Sequence, residues 1–200
     1  MLAVHARYRG QSLRRAALVQ RSAQALSTLD GVDEFKLLGV EDICSTVSSS
    51  TAVCEVVLAL LADGDWAVGI GVTPALGAGE DTSAESATRT RSIATAACKN
   101  SARAGQVYAK IDASGRSSEA ADIAAAFTLL GFVLNKRTIE GREATALVRS
   151  GLNQNEAARE LGISKQAMSQ RLHAAGWNAE QVGWQLVVNV LERANHQAKS

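Results

Sequence analysis

The sequence predicts an α+β unit followed by an all-α unit, and three observations point there. Up to residue 111 the apolar segments follow the order β-α-β-β-α-β-α-β. Beyond residue 118 only helical periodicity remains. The composition is 46% hydrophobic with 4% aromatic residues and a single proline, so Ala, Leu, Val and Ile must build the core, a mixture that favours helices.

Residues 1–8 alternate apolar and polar and read as a strand. Residues 12–29 place Leu13, Ala17, Leu18, Ala25 and Leu29 near helical spacing. Two short strands are expected around Gly39, over 34–38 and about 42–47. Residues 49–61 form a helix opened by a polar cap and stopped before Asp63-Gly64-Asp65. The clearest strand is 66–73, where Gly69 and Gly71 read as close-packing positions. Residues 74–86, rich in Gly, Asp, Ser and Thr, read as a loop. An Ala-rich helix over 87–104 and a strand over 106–111 complete a ferredoxin-like sheet, with helices expected on one face.

The stretch 113–118 (ASGRSS) is the linker candidate, dividing a domain over 1–115 from a helical domain over 118–200. Helices follow over 119–134, with Ile123, Phe127, Leu130 and Leu134 on one side, and over 140–149, with Ala144, Leu147 and Val148. A helix pair over 153–175 and a closing helix over about 178–195 end the chain.

The formal net charge of +1 predicts no partner by itself, but it is unevenly spread. Residues 1–30 hold five Arg against Asp30; residues 31–85 hold ten acids against Lys36. Residues 139–177 hold five bases and four acids, so one copy attracts phosphate weakly. Cys44, Cys54 and Cys98 form no CxxC and read as reduced cytosolic thiols. His5, His173 and His196 show no metal spacing, and His5 is expected in the core of the first strand. The start of the chain does not read as a signal peptide, no apolar stretch reads as a membrane span, and a cytoplasmic location is expected.

The pair over 153–175 carries the strongest functional signal. Asn153 caps the first helix, with Glu156 placed to complete the capping box. Ala157 and Ala158 are small enough for a second helix to cross closely. Gly162 suits a positive φ at the turn, and Ile163 fills the corner beneath it. Ser164 caps the second helix, which Met168 and Leu172, four apart, hold to a core. Lys165, Gln166, Ser169, Gln170 and His173 then form an outward polar face of major-groove type, in which Gln pairs with adenine and Lys with guanine or phosphate. Arg159, Arg171 and Asn155 flank it, the arginines suited to backbone contacts. The competing reading is an ordinary helical hairpin with a solvated face. Agreement of caps, small residues, turn glycine and corner residues favours duplex DNA.

The segment NQNEAARELGISKQAMSQRLHAAGW resembles the helix-turn-helix of bacterial regulators related to the C-terminal domain of sigma factors. The first strand with Arg9-Gly10, the Leu38-Gly39-Val40-Glu41 hairpin, the strand from Asp65 to Val72 and the Ala87-Thr88-Arg89-Thr90-Arg91 helix resemble the SatD-like proteins of actinobacteria. Their upstream domain is similar to a class III nucleotidyl cyclase. In active cyclases two aspartates, one on the first strand and one in the central hairpin, hold two metal ions. Arg7 stands at or near the first position and Val40 at the second, neither able to ligate a metal. The resemblance therefore implies a nucleotidyl-cyclase-like fold without catalysis, and no metal or other cofactor is expected.

For the upstream domain two roles stay open. Arg7, Arg9, Arg89 and Arg91 could surround a nucleotide or other anionic effector. Alternatively, Arg7 and Arg9 pair with Glu41 or Asp42 and the domain is a dimer platform. On the closing helix, Val182, Leu186, Val187, Val190, Leu191 and Ala194 form a stripe with Trp177 and Trp184 nearby. It either closes the chain's own core or meets a second subunit. A homodimer is expected, since two half-sites compensate the weak charge of one copy.

Overall fold

The computed structural model describes residues 1–74 and 84–196. Its strands are β1 (Leu2–Tyr8), β2 (Lys36–Leu37), β3 (Asp42–Val47), β4 (Trp66–Val72) and β5 (Val107–Ile111). They form one sheet in the order β2-β3-β1-β4-β5. Three neighbouring pairs are antiparallel and only β4–β5 is parallel. With α1 (Arg15–Leu26) and α2 (Ser50–Asp63), the first four strands make a β-α-β-β-α-β unit in ferredoxin-like order. β5 is added at the edge through α3 (Ala84–Ala97), a parallel pair requiring a crossover. The α+β class and the order of elements agree with the sequence. α3 begins and ends earlier than the periodicity suggests, and residues 75–83 of the expected loop lie outside the described residues.

Strand periodicity divides large from small side chains. Leu2, Val4, Ala6 and Tyr8 of β1, with Trp66, Val68, Ile70 and Val72 of β4, face the main core with α1 and α2. Tyr8 and Trp66 meet edge to face at 5.3 Å, and Asp63 accepts the Trp66 indole N–H at 2.8 Å. The opposite face carries Ala3, Cys44, Ala67, Gly69 and Gly71, against which α3 lies. A Cβ at Gly71 would come within 2.6 Å of the Thr90 carbonyl oxygen, and one at Gly69 within 2.7 Å of the Cys98 nitrogen. Only glycine permits that approach. The helices therefore cover both faces, not one as expected.

The domain boundary also differs from expectation. α4 (Ser117–Asn135) buries Ile123, Phe127, Leu130 and Leu134, and α8 (Trp177–Asn195) buries Val187, Val188, Leu191 and Ala194, in the same core as the sheet. Residues 113–118 are not a free linker. Arg116 binds both Glu119 oxygens (2.8 and 2.5 Å) and donates to the carbonyls of Arg193 and Ala194 at the end of α8. The chain thus consists of a sheet unit closed by α4 and α8, with three helices inserted between them.

α4 is the one described helix long and apolar enough to cross a membrane, with a mean hydropathy of 1.4, against the expectation that no stretch is. One side of it packs on α8 and the sheet, while Leu129 and Phe132 on the other stay exposed.

Candidate nucleic-acid interface

The inserted helices are α5 (Ile139–Arg149), α6 (Gln154–Glu160) and α7 (Lys165–Ala174). They share a small core of Ala144, Ala157, Ala158, Met168 and Leu172, ringed by Leu147, Val148, Leu152, Leu161, Ile163 and Trp177. Met168 is fully buried and Leu172 4% exposed, so one side of α7 is held down. The local signals read from the sequence are in place. Asn153 Oδ1 accepts from the Asn155 and Glu156 amides (2.9 and 3.1 Å), and Glu156 accepts from the Asn153 amide at 2.8 Å. Ser164 Oγ accepts from the Ala167 amide at 3.1 Å. Gly162 has φ +63°, the left-handed turn a side chain would resist.

Holding Met168 and Leu172 inward turns the other side of α7 outward. Lys165, Gln166, Ser169, Gln170 and His173 are exposed, and their side chains make no hydrogen bond or ion pair among the described residues. Arg159, at the end of α6, and Asn155, in its first turn, are exposed likewise. Ser164 is exposed but occupied as a cap, its side chain accepting from the Ala167 amide. Arg171 is half-buried and lies toward α5: its charge helps hold Glu140 below the ordinary carboxyl range, after the larger effects of the Glu140 backbone amide and Thr138. The nine residues singled out in the sequence therefore fall on α6, α7 and the turn between them.

The four arginines proposed for an anionic effector are not brought together. Arg7 binds Asp42 at 2.5 Å and Asn100 at 2.8 Å. Arg9 donates to the carbonyls of Ala102 (2.9 Å) and Asn100 (2.7 Å) and approaches Glu41 at 3.4 Å. Arg15 takes the other Glu41 oxygen. These side chains fasten the segment after α3 to the sheet. Arg89 pairs with Asp112 at 2.6 Å, beside the other end of β1, because Asp112 bonds to Val72, the register partner of Leu2. Arg91 turns back to Thr88 at 3.0 Å.

His5, 1% exposed, completes the cluster below Arg7. Its ring nitrogens meet Asp42 at 2.9 Å and Thr95 at 3.1 Å. Burial pushes its pKa below the ordinary value, and the opposing pull of Asp42 is smaller. The cysteines are buried and unpaired; burial raises all three thiols, that of Cys44 to about 11. Among the described residues no three His, Cys, Asp or Glu side chains group to hold a metal.

Sequence reading missed how the inserted helices are fastened. Arg137, 3% exposed at its side chain, donates to the Ala175 carbonyl at 2.8 Å and pairs with buried Glu180. Arg149 takes the other Glu180 oxygen at 2.5 Å, and Arg142 donates to the Ala62 carbonyl ending α2 at 3.1 Å. No local pattern announces these bonds, since Arg149 and Glu180 lie on different helices. The i, i+7 spacing of Trp177 and Trp184 was the one legible hint of a shared face. Compared with protein-family models, curated proteins and solved structures, the chain shows no match to any of them.

Proposed function

We propose that this protein is a cytoplasmic, sequence-specific transcriptional regulator that reads the major groove of duplex DNA with α7. The observation carrying this reading is the outward face of α7, exposed and without internal partners above a packed apolar underside. Gln166 and Gln170 supply groups for base edges, and Lys165, Arg159 and the amides at the start of α7 supply phosphate contacts. The sheet unit is SatD-like in this reading and catalytically empty: Asp42 and Glu41 are neutralised by Arg7, Arg9 and Arg15, leaving no carboxylate pair for a metal.

The regulator acts as a homodimer. Most of the α8 stripe closes the chain's own core, but Val182 and Leu186 stay 64% and 48% exposed, and α4 exposes Leu129 and Phe132. These side chains form the dimer platform, and pairing of two weakly charged units supplies the affinity one lacks. Capture of genomic DNA fragments with the purified chain, followed by titration of the recovered site, tests the assignment. Lys165→Ala and Gln170→Ala each weaken binding to that site; recovery of no preferred sequence, or equal binding by all three proteins, removes the reading. Leu186→Glu yields a monomer by size measurement if the platform is correct.

A further inference from the structure

The three arginine fastenings line one cavity of about 860 Å³ between the sheet unit and the inserted helices. Its walls come from α2 (Glu55, Ala59), the exit of α4 (Arg137), α5 (Arg142, Arg149) and α8 (Glu180). This volume lies within the range of small-molecule sites, and an apolar lining with a few convergent polar groups is their usual chemistry. Trp177 and Trp184 are both only partly buried, one helical heptad apart, and both border the space. Arg149 stands over the Trp177 ring, 5.6 Å from its centroid.

Charge narrows the ligand. Three arginines face two carboxylates, leaving one positive charge in excess. Glu180 has both oxygens taken, by Arg137 and Arg149. Arg142 has only the Ala62 carbonyl, and no carboxylate pairs with it among the described residues. A guanidinium with spare donors at the edge of an apolar, tryptophan-bordered space suits an anionic group joined to a ring system. We propose that this cavity is a binding site for a small aromatic anion, such as an aryl carboxylate or sulfonate, whose rings lie against Trp177 and Trp184 and whose anion is held by Arg142. Such a ligand touches both units through donors of Arg142 that the Ala62 carbonyl leaves free, so it acts on the placement of α5 and the helices behind it. The site stands independently of the DNA-binding reading.

The test uses the intact chain and two dyes of similar shape, anionic 8-anilinonaphthalene-1-sulfonate and neutral N-phenyl-1-naphthylamine, with tryptophan-to-dye energy transfer as readout. One sulfonate dye binds per chain. Ala59→Phe, at an exposed helix position, fills the space and weakens both dyes about tenfold. Arg142→Gln weakens the sulfonate by a similar factor and leaves the neutral dye unchanged, a split that simple loss of packing does not produce. Leu13→Ser, at a fully exposed position just ahead of α1, changes neither. Absence of sulfonate binding, or binding insensitive to Ala59→Phe and Arg142→Gln, overturns the proposal. So does loss of binding in Leu13→Ser, which places the dye on the outer apolar surface.

Discussion

Two polar regions of this molecule are built from similar residues and come to opposite ends. At the hairpin end, Arg7, Arg9 and Arg15 meet Glu41 and Asp42, and each finds a partner inside the chain. On α7, Lys165, Gln166, Ser169, Gln170 and His173 find none among the described residues. Arginine count alone would have placed a candidate binding surface at the first region. The difference teaches that a cation marks a binding surface only where the fold withholds its complement. At the hairpin end the close approach of α3 delivers carbonyls and Asn100 to the guanidinium groups. On α7 the burial of Met168 and Leu172 turns the polar side toward solvent, where no other element of the described residues partners it.

The largest effect is expected where the closed region depends on backbone approach. Gly71→Val drives a branched side chain into the Thr90 carbonyl and the Ala94 backbone. Overpacking against backbone should cost about 3 kcal/mol or more, read as loss of cooperative unfolding or a sharply lowered denaturant midpoint. A near-normal midpoint would mean that α3 does not lie on this face.

Next comes the shared acceptor. Asp42→Ala strips Arg7 and fully buried His5 of a partner at once. Uncompensated polar groups there should cost about 2–3 kcal/mol in urea unfolding. The contrast sharpens with the open face, where Lys165→Ala and Gln170→Ala should stay within about 0.5 kcal/mol of the parent in the same assay. An unfolding cost comparable to that of Asp42→Ala would show that α7 has internal partners after all and break the comparison. In DNA titrations across salt, Lys165→Ala should also reduce the salt slope by about one unit if its contact is to phosphate.

The smallest effect is a pH dependence confined to the closed region. Burial lowers the folded pKa of His5, so the unfolded chain binds its proton more tightly. The contribution of neutral His5 is fully present above the ordinary histidine value of about 6.5 and is lost as acid takes pH down through the lower folded value. Stability should therefore decline on mild acidification, and His5→Gln should flatten that part of the curve. An unchanged slope would assign the decline to other groups.

Much of the candidate interface was legible because it is local. The cap at Asn153, the turn at Gly162 and the Met168–Leu172 pair act over three or four residues, and such interactions need no distant partner to be read. The two-residue period likewise separated Leu2, Val4 and Ala6 from Ala3 and His5. The effector reading of Arg7, Arg9, Arg89 and Arg91 fared differently: the register of β1 with β4 sends the Arg7 and Arg9 fastenings and the Arg89–Asp112 pair to opposite ends of the sheet.

By itself the sequence determined which segments are strands and helices and which side of most of them is apolar, because those properties come from backbone sterics and periodicity within a segment, while the ends of α1 and α3 fell elsewhere than the periodicity suggested. Tertiary structure alone decided which apolar sides meet. α3 took the face of small residues, α4 and α8 joined the sheet core rather than the inserted helices, and Arg137 and Arg149 reached Glu180 across the junction. Those outcomes depend on competition among all the exposed apolar stripes for a limited set of partners, and no single segment carries that information.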